Sequence, residues 1–430
     1  MEKNYTSELE KFVGKNVTVA GWVHDTRVLG GISFVVLRDK DGVVQITAPK
    51  NKVPADVVKT IEKLHQEDVL VVSGEVVKSK VAKIGIEIIP SKIEVVSKSE
   101  VPLPLDPRGM VNVNLDTKLD WRVLDFRSSE TRAIFKIQHQ ILKSFRDFLT
   151  SNGYLEIQPP VIISSASEGG AELFPMKYFE KQAYLAQSPQ LYKQMCAISF
   201  EKVFSIMPIF RAEKFEQPTH LNEIRQMDME QAFAYDEDVM KVLEECFVYI
   251  LKEVKENCKE ELKILKRELV IPKLPLKRFT YTEIVNLLNK KGEKIKWGED
   301  FTKTQEKMMI DATGEIAFFI KDWPAEIKAF YAMPNEKDPK VCHAFDLIYD
   351  GLEMASGTQR IHIPELLKKR IKEKGLNPDN FKYYIDAFRY GSVVHSGWSV
   401  GLERLTMKIC GKENIREVTM FPRDRNRITP

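Results

Sequence analysis

Cysteine is scarce in this 430-residue chain, where only Cys196, Cys246, Cys258, Cys342 and Cys410 occur. They are scattered and odd in number, with no CxxC pair and no cysteine–histidine cluster at zinc spacing, so neither a disulfide framework nor a structural zinc site is expected. Buried or free thiols in a reducing cytoplasm fit that usage. No apolar run approaches the roughly 18 residues that a membrane span needs. The N-terminal Met1-Glu-Lys-Asn-Tyr-Thr lacks the basic stretch and apolar segment of a secretory leader, so a cytoplasmic protein without a membrane partner is expected. Charge of one sign is not in excess: 65 Lys and Arg face 62 Asp and Glu, a net of +3, so only local patches could attract nucleic acid. A Gly-rich phosphate loop of the Walker type and internal repeats are also missing.

What is present divides into two unlike parts. From Lys15 to Val96, the runs VTVAGWV, ISFVVLRD, VVQITA, DVLVVSGEVV and GIEIIPSKIEVVS are β-branched or alternating and separated by turns. Between the third and fourth runs, Val57, Ile61 and Leu64 recur at helical spacing. Three strands, a helix and two strands is the order of an oligonucleotide-binding (OB-type) barrel, expected over 1–100. The Pro-rich VPLPLDPRG opens a hinge expected over 101–125. The remainder, 126–430, reads as an antiparallel sheet flanked by helices, hence α+β, with a smaller helical insertion at about 236–315. Within it, strands are expected around VFSIMPIFRAE, IRQMDMEQAFA, AFFIKDW, KAFYAM and HAFDLIY, and a helix at GLERLTMKICG.

Four fragments of the second part carry candidate chemistry. In PIFRAEKFEQPTHLNEIRQMDMEQAF, Arg211 and Glu213 sit two apart on an expected strand and share a face that could hold a phosphate; a turn-rich loop brings in His220. A cross-strand ion pair explains that fragment as well when it is taken alone. In HAFDLIYDGLEMASGTQR, Asp346 and Glu353 could share Mg²⁺, a hard cation that takes carboxylate oxygens and completes its shell with substrate phosphates; Ser356, Gly357 and Arg360 follow on an expected turn. In HSGWSVGLERL, small residues lead into a helix bearing Glu403 and Arg404, so backbone could approach a ligand closely. In SEGGAELFPMKYFEKQAYLAQSPQLYKQM, a Gly-Gly loop beside Glu168 could close over a substrate, and Gln190 and Lys193 share a helical face at i, i+3. Solvated acids, a structural glycine turn and an exposed helix lysine are the ordinary explanations of the last three.

In order and spacing, these fragments resemble the three motifs of class II aminoacyl-tRNA synthetases over nearly the whole chain. SNGYLEIQPPVI resembles motif 1, with Pro160 at its proline; IFRAE through MDME resembles motif 2; GWSVGLERL resembles motif 3. Within the class, QSPQLYK resembles the aspartyl family rather than the asparaginyl one, in its archaeal and eukaryotic branch. The resemblance implies activation of L-aspartate with ATP and transfer to tRNA(Asp), with tRNA(Asn) left open as a second acceptor. It also implies Mg²⁺ with the nucleotide and a homodimer through the motif 1 region. Carried over, Arg211 and Arg404 are catalytic, and Glu168, Gln190, Lys193, Arg211, Ser356 and Arg360 bind aspartate. Arg211, Glu213, Thr219, His220, Leu221, Glu353, Gly401, Glu403 and Arg404 bind ATP, while Asp346, Glu353 and Ser356 hold the metal. In the barrel, Arg27, Phe34, Gln45 and Lys83 face the anticodon. Lys193 and Arg360 suit a side-chain carboxylate, because an amide would leave them unpaired.

The chain departs from the family pattern at Thr219, Ile224, Ser396 and Ser399, which touches the nucleotide site rather than the charged groups. Three other outcomes compete: an asparagine synthetase built on the same core, an asparaginyl-type ligase, and a paralogue kept only for binding tRNA. The intact barrel argues against the first and the retained Arg211, Arg360 and Arg404 against the last.

Overall fold

A computed structural model of the protein describes residues 2–164, 173–214 and 217–430. It forms two compact units, one running to Asn112 and the other from Val113.

In the first unit β1 (Asn16–Leu29), β2 (Ile32–Arg38), β3 (Val43–Pro49), β4 (Val69–Lys78) and β5 (Ile86–Ser97) close into a barrel of order β1-β2-β3-β5-β4. Alternation builds it: Val35 and Leu37, or Val44 and Ile46, point inward, and Val36 and Gln45 between them are less buried. The helix Ala55–Ile61 adds Val57 and Ile61 to that core. A bulge between Val23 and Asp25 turns His24 toward Arg38, whose Nη1 lies 3.4 Å from His24 Nδ1. Arg38 itself forks onto Glu67 at 2.9 and 2.8 Å, a fully buried pair.

The second unit contains β6 (Leu155–Glu156), β7 (Ile162–Ile163), β8 (Pro175–Tyr178), β9 (Lys181–Leu185), β10 (Lys202–Phe210), β11 (Glu223–Ala232), β12 (Lys277–Thr280), β13 (Ala317–Pro324), β14 (Val341–Tyr349), β15 (Leu352–Gln359) and β16 (His395–Gly401). Eight of them form one sheet in the order β12-β13-β14-β15-β16-β11-β10-β6, with β7, β9 and β8 in a small separate sheet. Only the edge pairs β12–β13 and β10–β6 are parallel.

One face of the large sheet is covered by the helix Ser129–Ser151. Ser128 caps it by accepting the Thr131 N–H, and it ends at Asn152 with Gly153 at φ +81°. Ile134, Ile137, Ile141, Phe145 and Leu149 form its buried stripe, and Phe145 meets the buried Trp398 edge-on at 6.1 Å between centroids.

Three expectations need correction. The helix Asp236–Asn257 is no part of an insertion: Val239, Leu243, Phe247 and Leu251 bury it in the main core with Ser129–Ser151. A separate core appears only later, around Tyr281, Ile284, Leu288 and Met309. The second half of the expected hinge is helical, Leu115–Asp120 and Arg122–Asp125, and belongs to the larger unit. Arg122 fastens it there by donating to the carbonyls of Met420 and Thr419. Lastly, KAFYAM makes no strand, only an isolated bridge from Ala332 to Arg360.

Candidate active site

The open face of the large sheet carries a cavity of about 560 Å³. Cross-strand register explains its floor. Asp346 on β14 pairs with Ser356 on β15, Ser356 with Ser399 on β16, and Ser399 with Asp228 on β11, so four polar residues form one row across four strands. The neighbouring row runs Thr358, Gly397, Glu230. A Cβ at Gly397 would stand 2.2 Å from Glu230 Oε2, so glycine is needed there to seat a buried carboxylate rather than to admit a ligand.

At one end of the cavity, the helix Gln190–Phe200 lowers Lys193 onto this floor, where Nζ donates to Asp228 Oδ1 at 2.9 Å and to the Trp398 carbonyl at 3.2 Å. Glu230 Oε2 is 3.5 Å from the same ammonium. Arg360 donates to Glu230 through Nε (2.8 Å) and Nη2 (3.0 Å), and to Thr358 Oγ1 through Nη1 (2.7 Å). Two cations and two carboxylates are thus buried together and cancel. Burial pushes the Asp228 carboxyl up despite Lys193, while Arg360 and Lys193 overcome the burial of Glu230 and hold it down. Gln190 lines the same end, and Asp228 Oδ2 is buried without a partner.

At the other end lie Arg211, Glu213, Thr219, His220, Leu221 and Ile224. Glu353, Gly401, Glu403 and Arg404 face them. Arg404 Nη2 is 3.3 Å from His220 Nε2, and Thr219 Oγ1 is 3.0 Å from its Nδ1. Burial, reinforced by Arg404, Lys303 and Arg211, lowers the His220 ring to about 4, which keeps it neutral. Glu403 accepts the Arg225 N–H on both carboxylate oxygens (3.0 and 3.1 Å) and burial raises it to about 7. Its carboxylate therefore braces β11. Glu353 turns toward the cavity, with Arg404 Nη1 3.9 Å away; burial would raise it, but Arg404, Lys328, Lys303 and Arg211 together hold it low. Asp346 lies beneath, buried, raised to about 6 by that burial and paired with Lys328 at 2.7 Å.

In the barrel, Arg27 and Phe34 are direct cross-strand partners, and Phe34 pairs in turn with Thr47. Gln45 shares that outward face but already donates to Thr47 Oγ1 and Glu87 Oε2, each at 3.0 Å. Lys83 is exposed between β4 and β5.

Residues 114–425 match the family of class II tRNA synthetases (D, K and N), and residues 17–96 match the OB-fold nucleic acid binding domain. The chain belongs to the class II tRNA synthetases. It is 50% identical to an aspartate–tRNA(Asp/Asn) ligase of Methanopyrus kandleri over 97% of this chain and 96% of that one. It is 49% identical to an aspartate–tRNA(Asp) ligase of Pyrococcus abyssi over the full length of both. Among solved structures, the asparaginyl-tRNA synthetase of Pyrococcus horikoshii in complex with asparaginyl-adenylate superposes with a TM-score of 0.96, at 33% identity and full coverage of both chains.

Against this synthetase frame, the structure gathers all the residues carried over from the motifs of the second unit except two. Asp346 lies one layer beneath the cavity lining, and Glu168 falls outside the described residues. Two local readings change. Arg211 and Glu213 follow β10 rather than lie on it, and Ser356 and Gly357 are in β15, not on a turn. The idea that Lys193 and Arg360 await a substrate carboxylate unpaired is also overturned, since Asp228 and Glu230 already hold them. The signal for these two acids was available: they alternate with the apolar Met227 and Met229 in one strand, an arrangement that puts two carboxylates on one face. Lys328 had no such signal, because the run around it read as a strand.

Proposed function

We propose that the chain is an aspartate–tRNA ligase that activates L-aspartate with ATP to aspartyl-adenylate, releasing pyrophosphate, and passes the aspartyl group to tRNA(Asp). The observation that carries this reading is the buried quartet Lys193, Asp228, Glu230 and Arg360 at one end of a cavity whose other end gathers Arg211, His220 and Arg404. The first end is polar and pre-ordered for a small amino acid: the partnerless Asp228 Oδ2 suits an ammonium, and Lys193 and Arg360, fixed in place by Asp228 and Glu230, would turn their remaining N–H groups to carboxylates; the second end suits a polyphosphate.

In the first step, an oxygen of the aspartate α-carboxylate attacks the α-phosphorus, and the bond to pyrophosphate breaks. No general base is required, because the attacking group is already an anion. Arg211 lines the cavity and would stabilise the charge that accumulates on the phosphate, assisted by Arg404 beside the neutral His220. In the second step, a terminal ribose hydroxyl of tRNA attacks the activated carbonyl and AMP leaves with the bonding pair. Asp346 and Glu353, with Ser356 beside them, fit Mg²⁺: Asp346 Oδ1 is buried without a partner, and two carboxylates suffice when phosphates complete the shell. Bound there, the ion would screen phosphate charge.

Phe34 offers a stacking surface to an anticodon base, with Arg27 toward the backbone, Gln45 toward a base edge and the exposed Lys83 in the region that would choose between tRNAs. The exposed Trp121, Val123, Leu155 and Ile162 support a homodimer through the motif 1 region, which sedimentation would reveal as a two-chain mass.

The experiment is aminoacylation of purified tRNA(Asp) and tRNA(Asn) with labelled aspartate and, separately, asparagine. Aspartate on tRNA(Asp) is expected; preferential charging of asparagine would overturn the reading. Aspartate on tRNA(Asn) would add the second acceptor.

A further inference from the structure

Lys328 belongs to none of the three motifs, yet its ammonium sits at the nucleotide end of the cavity. It follows β13 in an irregular segment and reaches back over the Trp323 ring at 3.8 Å, with its side chain only 17% exposed. Nζ donates to Asp346 Oδ2 at 2.7 Å, while Asp346 Oδ1 has no partner. Asp300 and Glu353 lie close enough to act on the same ammonium. Trp323 is buried, so the lysine is held on its aromatic face rather than free to swing into solvent.

The placement has an electrostatic consequence. A divalent cation drawn to Asp346 and Glu353 meets an ammonium already seated on one of them. Two like charges in a poorly solvated site repel strongly unless an anion enters with the metal. A polyphosphate supplies that anion and gives the ammonium new oxygens to bind.

We propose that Lys328 makes divalent-cation binding at Asp346 and Glu353 conditional on the nucleotide, holding Asp346 in the resting site and pairing with the polyphosphate when metal and nucleotide arrive together. The inference rests on the nucleotide site described above. It adds a ligand-binding residue whose role is to couple two ligands: the metal alone is disfavoured and the metal–nucleotide pair is favoured.

The test is titration of the full-length protein with Mn²⁺, followed by electron paramagnetic resonance, with and without ATP. Relative to the unmodified chain, Lys328→Met is expected to bind Mn²⁺ alone about tenfold more tightly and Mn²⁺–ATP about tenfold more weakly, the size of an ordinary coupling between two ligands. A residue that merely packs against Trp323 would not move the two constants in opposite directions. Unchanged or weaker binding of Mn²⁺ alone overturns the proposal; tighter Mn²⁺ with unchanged ATP affinity overturns its phosphate half. Should Lys328→Met fail to fold, Lys328→Gln keeps a hydrogen bond to Asp346 without the charge and makes the same discrimination. If the unmodified chain binds no Mn²⁺–ATP, the nucleotide site itself is misassigned, an outcome separate from a failure of Lys328 alone.

Discussion

Arg360 forks onto Glu230 through Nε and Nη2, both residues are fully buried, and neither has water to fall back on. Removing one partner of such a pair costs far more than the pair contributes net. Glu230→Gln is expected to lower stability by about 3 kcal/mol in urea unfolding and to raise KM for aspartate more than KM for ATP. Equal changes in both KM values would detach Glu230 from the amino-acid end.

Lys193 touches Asp228, Glu230 and the Trp398 carbonyl at once. Its loss leaves one cation among two buried acids. Lys193→Ala is expected to reduce aspartate-dependent ATP–pyrophosphate exchange by at least about 100-fold, the lower end of the roughly 3–5 kcal/mol that an unpaired buried charge costs. An unchanged exchange rate removes it from the site.

Chelation of divalent cations with EDTA is expected to abolish exchange, and added Mg²⁺ to restore it. Asp346→Asn is expected to raise the Mg²⁺ needed for half-maximal exchange by about tenfold, because it removes one of two carboxylate ligands. A titration curve that overlays the unmodified one would place the ion elsewhere.

His395 is buried at the back of the amino-acid end, its ring nitrogens 2.9 Å from the Val393 carbonyl and 3.0 Å from Gln194 Oε1. Burial lowers it to about 4 from an ordinary 6.5. Between those values the unfolded chain binds the extra proton and the folded chain does not. Its contribution is therefore complete above pH 6.5 and is lost as pH falls toward 4. His395→Gln is expected to flatten the fall in melting temperature over that window; a slope identical to that of the unmodified chain would contradict this.

Phe34 stands between Arg27 and Thr47 on the outer face of the barrel. Phe34→Ala is expected to cut kcat/KM for tRNA by about 10- to 100-fold, the range of one lost base stack, with ATP–pyrophosphate exchange unaltered. Loss of both activities would instead indicate a folding defect.

Local periodicity determined much of this protein. The alternation in VVQITA, the stripe from Ile134 to Leu149 and the punctuation of Asn152-Gly153 are properties of neighbours in the chain, so the barrel, the long helix and the order of the motifs were readable in advance. Charged residues in short motifs were readable for the same reason: Arg211, Arg360 and Arg404 announce themselves by type and place. Only the tertiary structure decided how those charges are compensated. Asp228 and Glu230 reach Lys193 across 35 and 37 residues, and Arg360 meets Glu230 across 130. Register across β14, β15, β16 and β11 aligns Asp346 with Asp228, and a segment without regular structure delivers Lys328 to Asp346. Pairings at such separations leave no periodic trace, because a buried charge selects its partner by where folding places it in space rather than by position along the chain.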